Sequence, residues 1–199
     1  MKREYGFTLL EVLGSIGLLG LLLLLIAGSF STANRTVEST SQFADRLDEV
    51  RASQRFLRDA LQNIKPVALI QEQKQLFEGE ATYLRFTSPT PIDLGGKLTI
   101  HRLELFRTQN GELQLRVVFF ERNGAPWGQP QVLMHQLRQA QFRYRGVDEK
   151  RNQTAWLAQW PWPERLPESV QLYVDVDGPV RWPQMTVALR AGQTQGVLR

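Results

Sequence analysis

Hydrophobic and polar residues follow a different pattern in each of three successive parts of the 199-residue chain. The first part is an apolar run over 7–30 whose one charged residue is Glu11. A helix over the uncharged stretch 12–34, at about 1.5 Å per residue, is long enough to cross the hydrocarbon core of a bilayer. We therefore predict a membrane helix over 7–30. A carboxylate within it is costly unless it finds a partner or reaches the membrane surface.

The second part, 31–65, is amphipathic. Its apolar residues return every three or four positions, or after seven, as on one face of a helix. They are Phe43, Leu47, Val50, Leu57, Leu61 and Ile64. Pro66 predicts the end of the helix near Lys65. We predict one continuous helix over 7–65, whose second part packs on the rest of the chain.

The third part, 66–199, has the two-residue period and the turn signals of β-strands. The predicted strands are 83–87, 98–107, 112–122, 131–135, 139–145, 169–176 and 181–190. Asn110-Gly111 and Asp177-Gly178 are typical of tight hairpin turns. The predicted fold is therefore α+β, with a long N-terminal helix on an antiparallel β-rich head.

Composition narrows the function classes. The 24 basic and 20 acidic residues give a net charge of +4 and are dispersed, without the clusters typical of a nucleic-acid surface. We therefore predict no nucleic-acid partner. There is no cysteine, which excludes a disulfide, a thiolate metal site and a cysteine nucleophile.

Candidate chemistry in the head is sparse. Both histidines, His101 and His135, fall inside strand patterns and are predicted to be satisfied strand residues. No common catalytic or nucleotide-binding motif occurs, so we predict no enzyme, no catalytic residue and no cofactor. Asp175 and Asp177 resemble the start of a calcium loop, but the further ligands are missing and a hairpin turn explains the same letters. A calcium site built from separate loops stays open, and the sequence does not locate one.

Three tryptophans, Trp156, Trp160 and Trp162, lie in the proline-broken stretch WLAQWPWPERLP. A loop folded over the sheet as part of the core and an interface with another subunit explain them equally well.

The first eleven residues, MKREYGFTLLE, resemble the N-terminal signature of type IV pilins and type II secretion pseudopilins. The signature is a short basic leader, a glycine, and Phe-Thr-Leu-Leu-Glu at the head of an apolar helix. The resemblance implies that a prepilin peptidase removes 1–6 by cutting between Gly6 and Phe7, and that Phe7 becomes N-methylated.

The resemblance also implies a partner for Glu11. Its carboxylate would pair with the amine that cleavage creates at Phe7 of a neighbouring subunit. The alternative is a carboxylate that snorkels to the surface from an ordinary anchor. Lys2 and Arg3 precede the apolar run, which predicts a cytoplasmic N-terminus in the inner membrane and a periplasmic head.

The C-terminal part is similar to the J-type minor pseudopilins of type II secretion. The similarity lies in FRYRG, the tryptophan stretch, Leu166-Pro167 and the closing segment RWPQMTVAL. It implies a structural subunit at the pseudopilus tip that starts assembly with I-type and K-type minor pseudopilins and with the major pseudopilin. The alternative is a minor pilin of a type IV pilus or DNA-uptake system, which shares the leader and primes assembly or binds a ligand.

Overall fold

The computed structural model describes residues 9–69, 74–178 and 180–190. One helix precedes a short 3-10 turn, Ile92–Leu94, and seven strands. The elements are α1 Leu9–Gln62, β1 Phe77–Gly79, β2 Tyr83–Pro89, β3 Leu98–Arg107, β4 Leu113–Phe120, β5 Pro126–Arg145, β6 Ser169–Val176 and β7 Met185–Ala188. Contacts divide the chain into two compact units, Met1–Asp45 and Arg46–Arg199. The second unit is called the head below.

In the first unit, α1 carries large apolar side chains that are exposed. They are Leu9, Val12, Leu13, Ile16, Leu18, Leu19, Leu21, Leu22, Leu23 and Leu24. No helix in the described part of the chain is long and apolar enough to cross a membrane. The predicted leader 1–6 lies outside the described residues, as does the start of the predicted membrane helix at Phe7. Its predicted end at residue 30 falls within 25–42, whose side chains are likewise outside the description.

The seven strands form one antiparallel sheet in chain order, so each strand pairs with the next one along the sequence. This confirms the predicted α+β fold. The predicted bounds of β3 and β6 are confirmed residue by residue. The Asn110-Gly111 turn is also confirmed, because Gly111 has φ +83°, a conformation that glycine adopts without strain.

The predicted strands 131–135 and 139–145 are one strand, β5, of 20 residues. The gap between the two predicted strands is a β-bulge. Gln136 has φ 52° there, and the pairing with β6 shifts between Leu137 and Gln139. The strand continues through the bulge because the backbone groups of Gln136 have partners. Its N–H donates to Oε1 of Glu112 at 3.0 Å, and its carbonyl accepts from the N–H of Asp177 at 3.1 Å.

The other differences concern strand length. β1 was not predicted, because a strand of three residues is too short to display a two-residue period. The last predicted strand, 181–190, is reduced to the four residues of β7, since 181–184 does not pair with β6. The helix ends at Gln62, three residues earlier than predicted.

One face of the sheet forms the core of the head together with α1. Four members of the predicted helical stripe are buried there: Val50, Leu57, Leu61 and Ile64. Each such side chain contributes about 1.5–3 kcal/mol by leaving water. Phe43, the first member of the predicted stripe, lies in the first unit and is exposed, and its place in the stripe on the head stays a prediction.

His101 lies in β3 beneath an aromatic cluster and is completely buried. Its ring stacks on Phe86 with centroids 5.3 Å apart and meets the edge of Phe119 at 4.9 Å. The strand position was predicted correctly, but neither ring nitrogen makes a hydrogen bond of normal geometry with a described side chain or backbone group, so the expected hydrogen bonds were not found. Burial lowers the pKa of His101 to about 4, so the ring is neutral near pH 7.

The wild-type head should become less stable in mild acid, and His101→Phe should abolish most of that loss. The pKa of His101 is about 4 in the fold and 6.5 for a free histidine, so the unfolded chain binds a proton that the folded chain does not. The free energy of unfolding of the wild type should fall by about 2 kcal/mol between about pH 7.5 and about pH 5. Urea unfolding of the full-length protein in detergent measures this difference.

His135→Gln is the matched control, because it removes the other histidine and leaves His101 in place. It should retain the acid loss. An equal loss in His101→Phe and in the wild type would contradict the assignment.

Candidate assembly site

Glu11 is the predicted assembly residue that the structure describes. It lies in the first turn of α1 with its side chain exposed, and its backbone carbonyl accepts a hydrogen bond from Oγ of Ser15 at 2.8 Å. Its neighbours in the described helix are the exposed leucines of the first unit. The predicted processing residues Gly6 and Phe7 lie outside the described residues, so cleavage between them and the pairing of Glu11 with the Phe7 amine of a neighbouring subunit stay predictions.

In the head, three polar residues of α1 reach the bulge of β5. Nη2 of Arg46 donates to the carbonyl of His135 at 2.7 Å, and Nη1 forms an ion pair with Oε2 of Glu49 at 2.5 Å. Oε1 of Glu49 accepts from the backbone N–H of His135 at 2.7 Å and lies 3.0 Å from Nδ1 of the same ring. One helical turn further on, Oγ of Ser53 donates to the carbonyl of Leu133. We call Arg46, Glu49 and Ser53 with these β5 partners the helix clamp.

The electrostatics of the clamp favour an ionised Glu49. Burial raises the pKa of its carboxyl, but the hydrogen bonds from His135 and Arg46 outweigh burial and hold the pKa below its usual value. The stability that this contributes is present above the ordinary carboxyl pKa of 4.5 and is lost as the pH falls below it.

Sequence reasoning missed the clamp, although a signal was present. Positions 46, 49, 53 and 60 share the core-facing side of the helix, and three of the four are polar. Polar residues on a buried helix face need hydrogen-bond partners. The partner strand could not be identified from the sequence, because the contacts join residues 80 to 89 positions apart.

The tryptophan stretch covers the edge of the sheet. The carbonyl of Pro163 accepts from the N–H groups of Leu76 and Phe77, at 2.7 and 3.1 Å, and the N–H of Trp160 donates to Gly79 in β1 at 2.9 Å. A covered edge strand is protected from pairing with other chains. The sequence left two explanations for the tryptophans, a place in the core and an interface with another subunit. The core accounts for Trp160, which is 5% exposed, whereas Trp156 and Trp162 are half-buried.

The Asp-Gly letters of the predicted calcium alternative lie in a bend after β6. The tight hairpin predicted there is wrong, because β7 begins only at Met185, which pairs with Leu172. Oδ1 of Asp177 forms an ion pair with Arg138 at 2.5 Å, and Gly178 has φ +113°. Within the part of the chain that the structure describes, no group of three or more histidine, aspartate or glutamate side chains is placed to hold a metal ion.

A long N-terminal helix with a single acidic residue at the head of its apolar stretch, followed by an antiparallel sheet, defines a pilin-like protein. Residues 1–27 match the model of the prokaryotic N-terminal methylation motif. Residues 28–187 match the family model described as type II secretion system (T2SS), protein J. The chain is also 32% identical over 219 residues to type II secretion system protein J of Xanthomonas campestris pv. campestris, with 98% of each chain covered.

The chain therefore belongs to the type II secretion system protein J family and is a minor pseudopilin of type II secretion. The predicted resemblance is confirmed for the head as well as for the leader. Because the family match extends over the head, it favours secretion over the type IV pilus alternative. Membership indicates a structural, membrane-anchored subunit that works with other pseudopilins of its secretion system.

Glu49→Ala should destabilise the head by about 1–3 kcal/mol, because the N–H of His135 and the guanidinium of Arg46 both lose a charged acceptor. The N–H of His135 should also exchange with solvent faster. Urea unfolding and hydrogen–deuterium exchange of the full-length protein measure the two effects.

Asp48→Ala is the matched control. It removes the neighbouring carboxylate, which is exposed and forms no ion pair with any described residue. It should leave both quantities unchanged. Equal effects of the two substitutions would contradict the clamp.

Proposed function

We propose that this chain stands at the tip of the type II secretion pseudopilus and helps to start its assembly. It would do so together with the I-type and K-type minor pseudopilins and would be followed by the major pseudopilin. Membership of the protein J family supports this role, and the N-terminal methylation motif supports entry into a helical fibre. The subunit would thereby assist protein export across the outer membrane.

Processing would precede assembly. A prepilin peptidase would cut between Gly6 and Phe7 and N-methylate Phe7, which leaves an apolar helix with a charged amine at its start. Before incorporation the chain would cross the inner membrane once, with a cytoplasmic N-terminus and a periplasmic head. Lys2 and Arg3 before the apolar run support this orientation.

The observation that carries the proposal is Glu11 on the exposed apolar surface of α1. A lone carboxylate at membrane depth costs several kcal/mol unless it is partnered. An N-terminal amine on a neighbouring subunit would neutralise it and set the axial register between the two chains. The same pairing would favour extraction of the incoming subunit from the membrane.

We further propose that the protein performs no reaction and needs no cofactor. The helix clamp uses the polar side chains of Arg46, Glu49 and Ser53 to join α1 to β5, which supports a scaffold role. A calcium ion held by the head is not located and forms no part of this proposal.

Glu11→Ala should reduce incorporation of the subunit about tenfold or more, because the amine of the neighbouring chain loses its counter-charge. The head should remain folded, since Glu11 lies outside it. Full-length protein is co-expressed with prepilin peptidase and the other pseudopilins, its loss of 1–6 is checked by mass spectrometry, and the amount that co-purifies is measured.

Ser15→Ala serves as the control one helical turn away, and it should co-purify like the wild type. Normal co-purification of Glu11→Ala would sink the proposed role of Glu11. Retention of 1–6 in the wild type would sink the processing step.

A further inference from the structure

Three arginines of α1 form a row on the face of the helix that points away from the sheet. Arg51, Arg55 and Arg58 are spaced by four and three residues, which places them on one side of a helix. All three are exposed, whereas Val50 and Leu57 on the opposite side are buried. We call Arg51, Arg55 and Arg58 the arginine row.

The arginine row is not neutralised by ion pairs within the described residues, although the carboxylate of Asp48 lies beside it. None of its guanidinium groups takes part in an ion pair there, although Arg46 on the same helix pairs with Glu49. Asp59, which follows the row, instead accepts a hydrogen bond from Nδ2 of Asn63 at 2.8 Å. The guanidinium groups of the row are therefore available to pair with a carboxylate of an outside partner.

The row also lines a surface groove. Together with Asp48 and Gln54 it lines an open groove of about 480 Å³. A groove of this kind along a helix accommodates the side chains of a second element that lies beside it. Charged groups that such an element covers lose their water and are stable only when they are paired.

We propose that the arginine row docks a carboxylate-bearing helix of a neighbouring pseudopilin in the same secretion system. This inference rests on the proposed function, in which subunits pack through α1. Arginine suits the contact because its planar guanidinium binds a carboxylate through two parallel hydrogen bonds. A second copy of this chain fits less well, since it would bring another arginine row.

The experiment compares two triple variants of the full-length protein in detergent. Arg51→Glu/Arg55→Glu/Arg58→Glu reverses the row, and Arg122→Glu/Arg143→Glu/Arg145→Glu makes the same change in net charge at other exposed arginines of the head. Dissociation constants are measured against each purified pseudopilin of the system at low and at high salt.

The row variant should bind one partner about tenfold more weakly or worse, whereas the control variant binds like the wild type. Wild-type affinity should fall with added salt, and that of the row variant should fall less. Replacing the partner's matching carboxylates with Arg should restore binding to the row variant. A second row variant with Gln at all three positions gives the same comparison without introducing new carboxylates beside Asp48.

Four results would overturn the inference. Unchanged affinity and salt dependence in both row variants would do so while leaving the proposed function intact. Failure of the wild type to bind any pseudopilin would remove the proposed function and the inference with it. Loss of self-association alone would identify a second copy as the occupant. Loss of binding to vesicles containing phosphatidylglycerol, with pseudopilin binding unchanged, would identify a lipid surface.

Discussion

Packing of one face of α1 against the sheet is the interaction on which the head depends. An antiparallel sheet with one apolar face is stable only when that face is covered. Here the last turns of α1 from Val50, together with Ile64 just after the helix, provide the cover, and they meet residues from all the central strands in a single core. The opposite side of the same stretch stays exposed and carries the arginine row.

Burial of apolar surface has no preferred direction, so it does not by itself fix how far the helix slides along the sheet. The helix clamp supplies that information through hydrogen bonds of defined geometry between α1 and the bulge in β5. The bulge turns backbone groups of His135 towards Glu49 and Arg46. A defined register also determines which residues of α1 remain on the outer face, and so the clamp and the arginine row are physically related.

Features that depend on local sequence were predictable. The bounds of β6 followed from strict alternation, those of β3 from the turn signal at Asn110-Gly111, and the buried helical stripe from Val50 to Ile64 from its spacing. The bulge at Gln136 was not predictable, because the two groups that bind its backbone come from distant parts of the chain. They are the carboxylate of Glu112 and the N–H of Asp177. The aromatic surroundings of His101 were missed for a similar reason: its position in a strand was visible in the sequence, but the packing of Phe86 and Phe119 on its ring was not. In the candidate site, Glu11 was identified from its anomalous charge, whereas the helix clamp required the fold.

Native-state hydrogen exchange of the full-length protein in detergent tests the central claim most directly. If docking of α1 completes the core, the slowest amides of the helix within 46–62 and of β3 and β6 should open with the same free energy, that of global unfolding. Exchange of those helix amides at a clearly lower opening free energy than the strand amides would contradict the account. It would mean that the sheet stays folded without the helix.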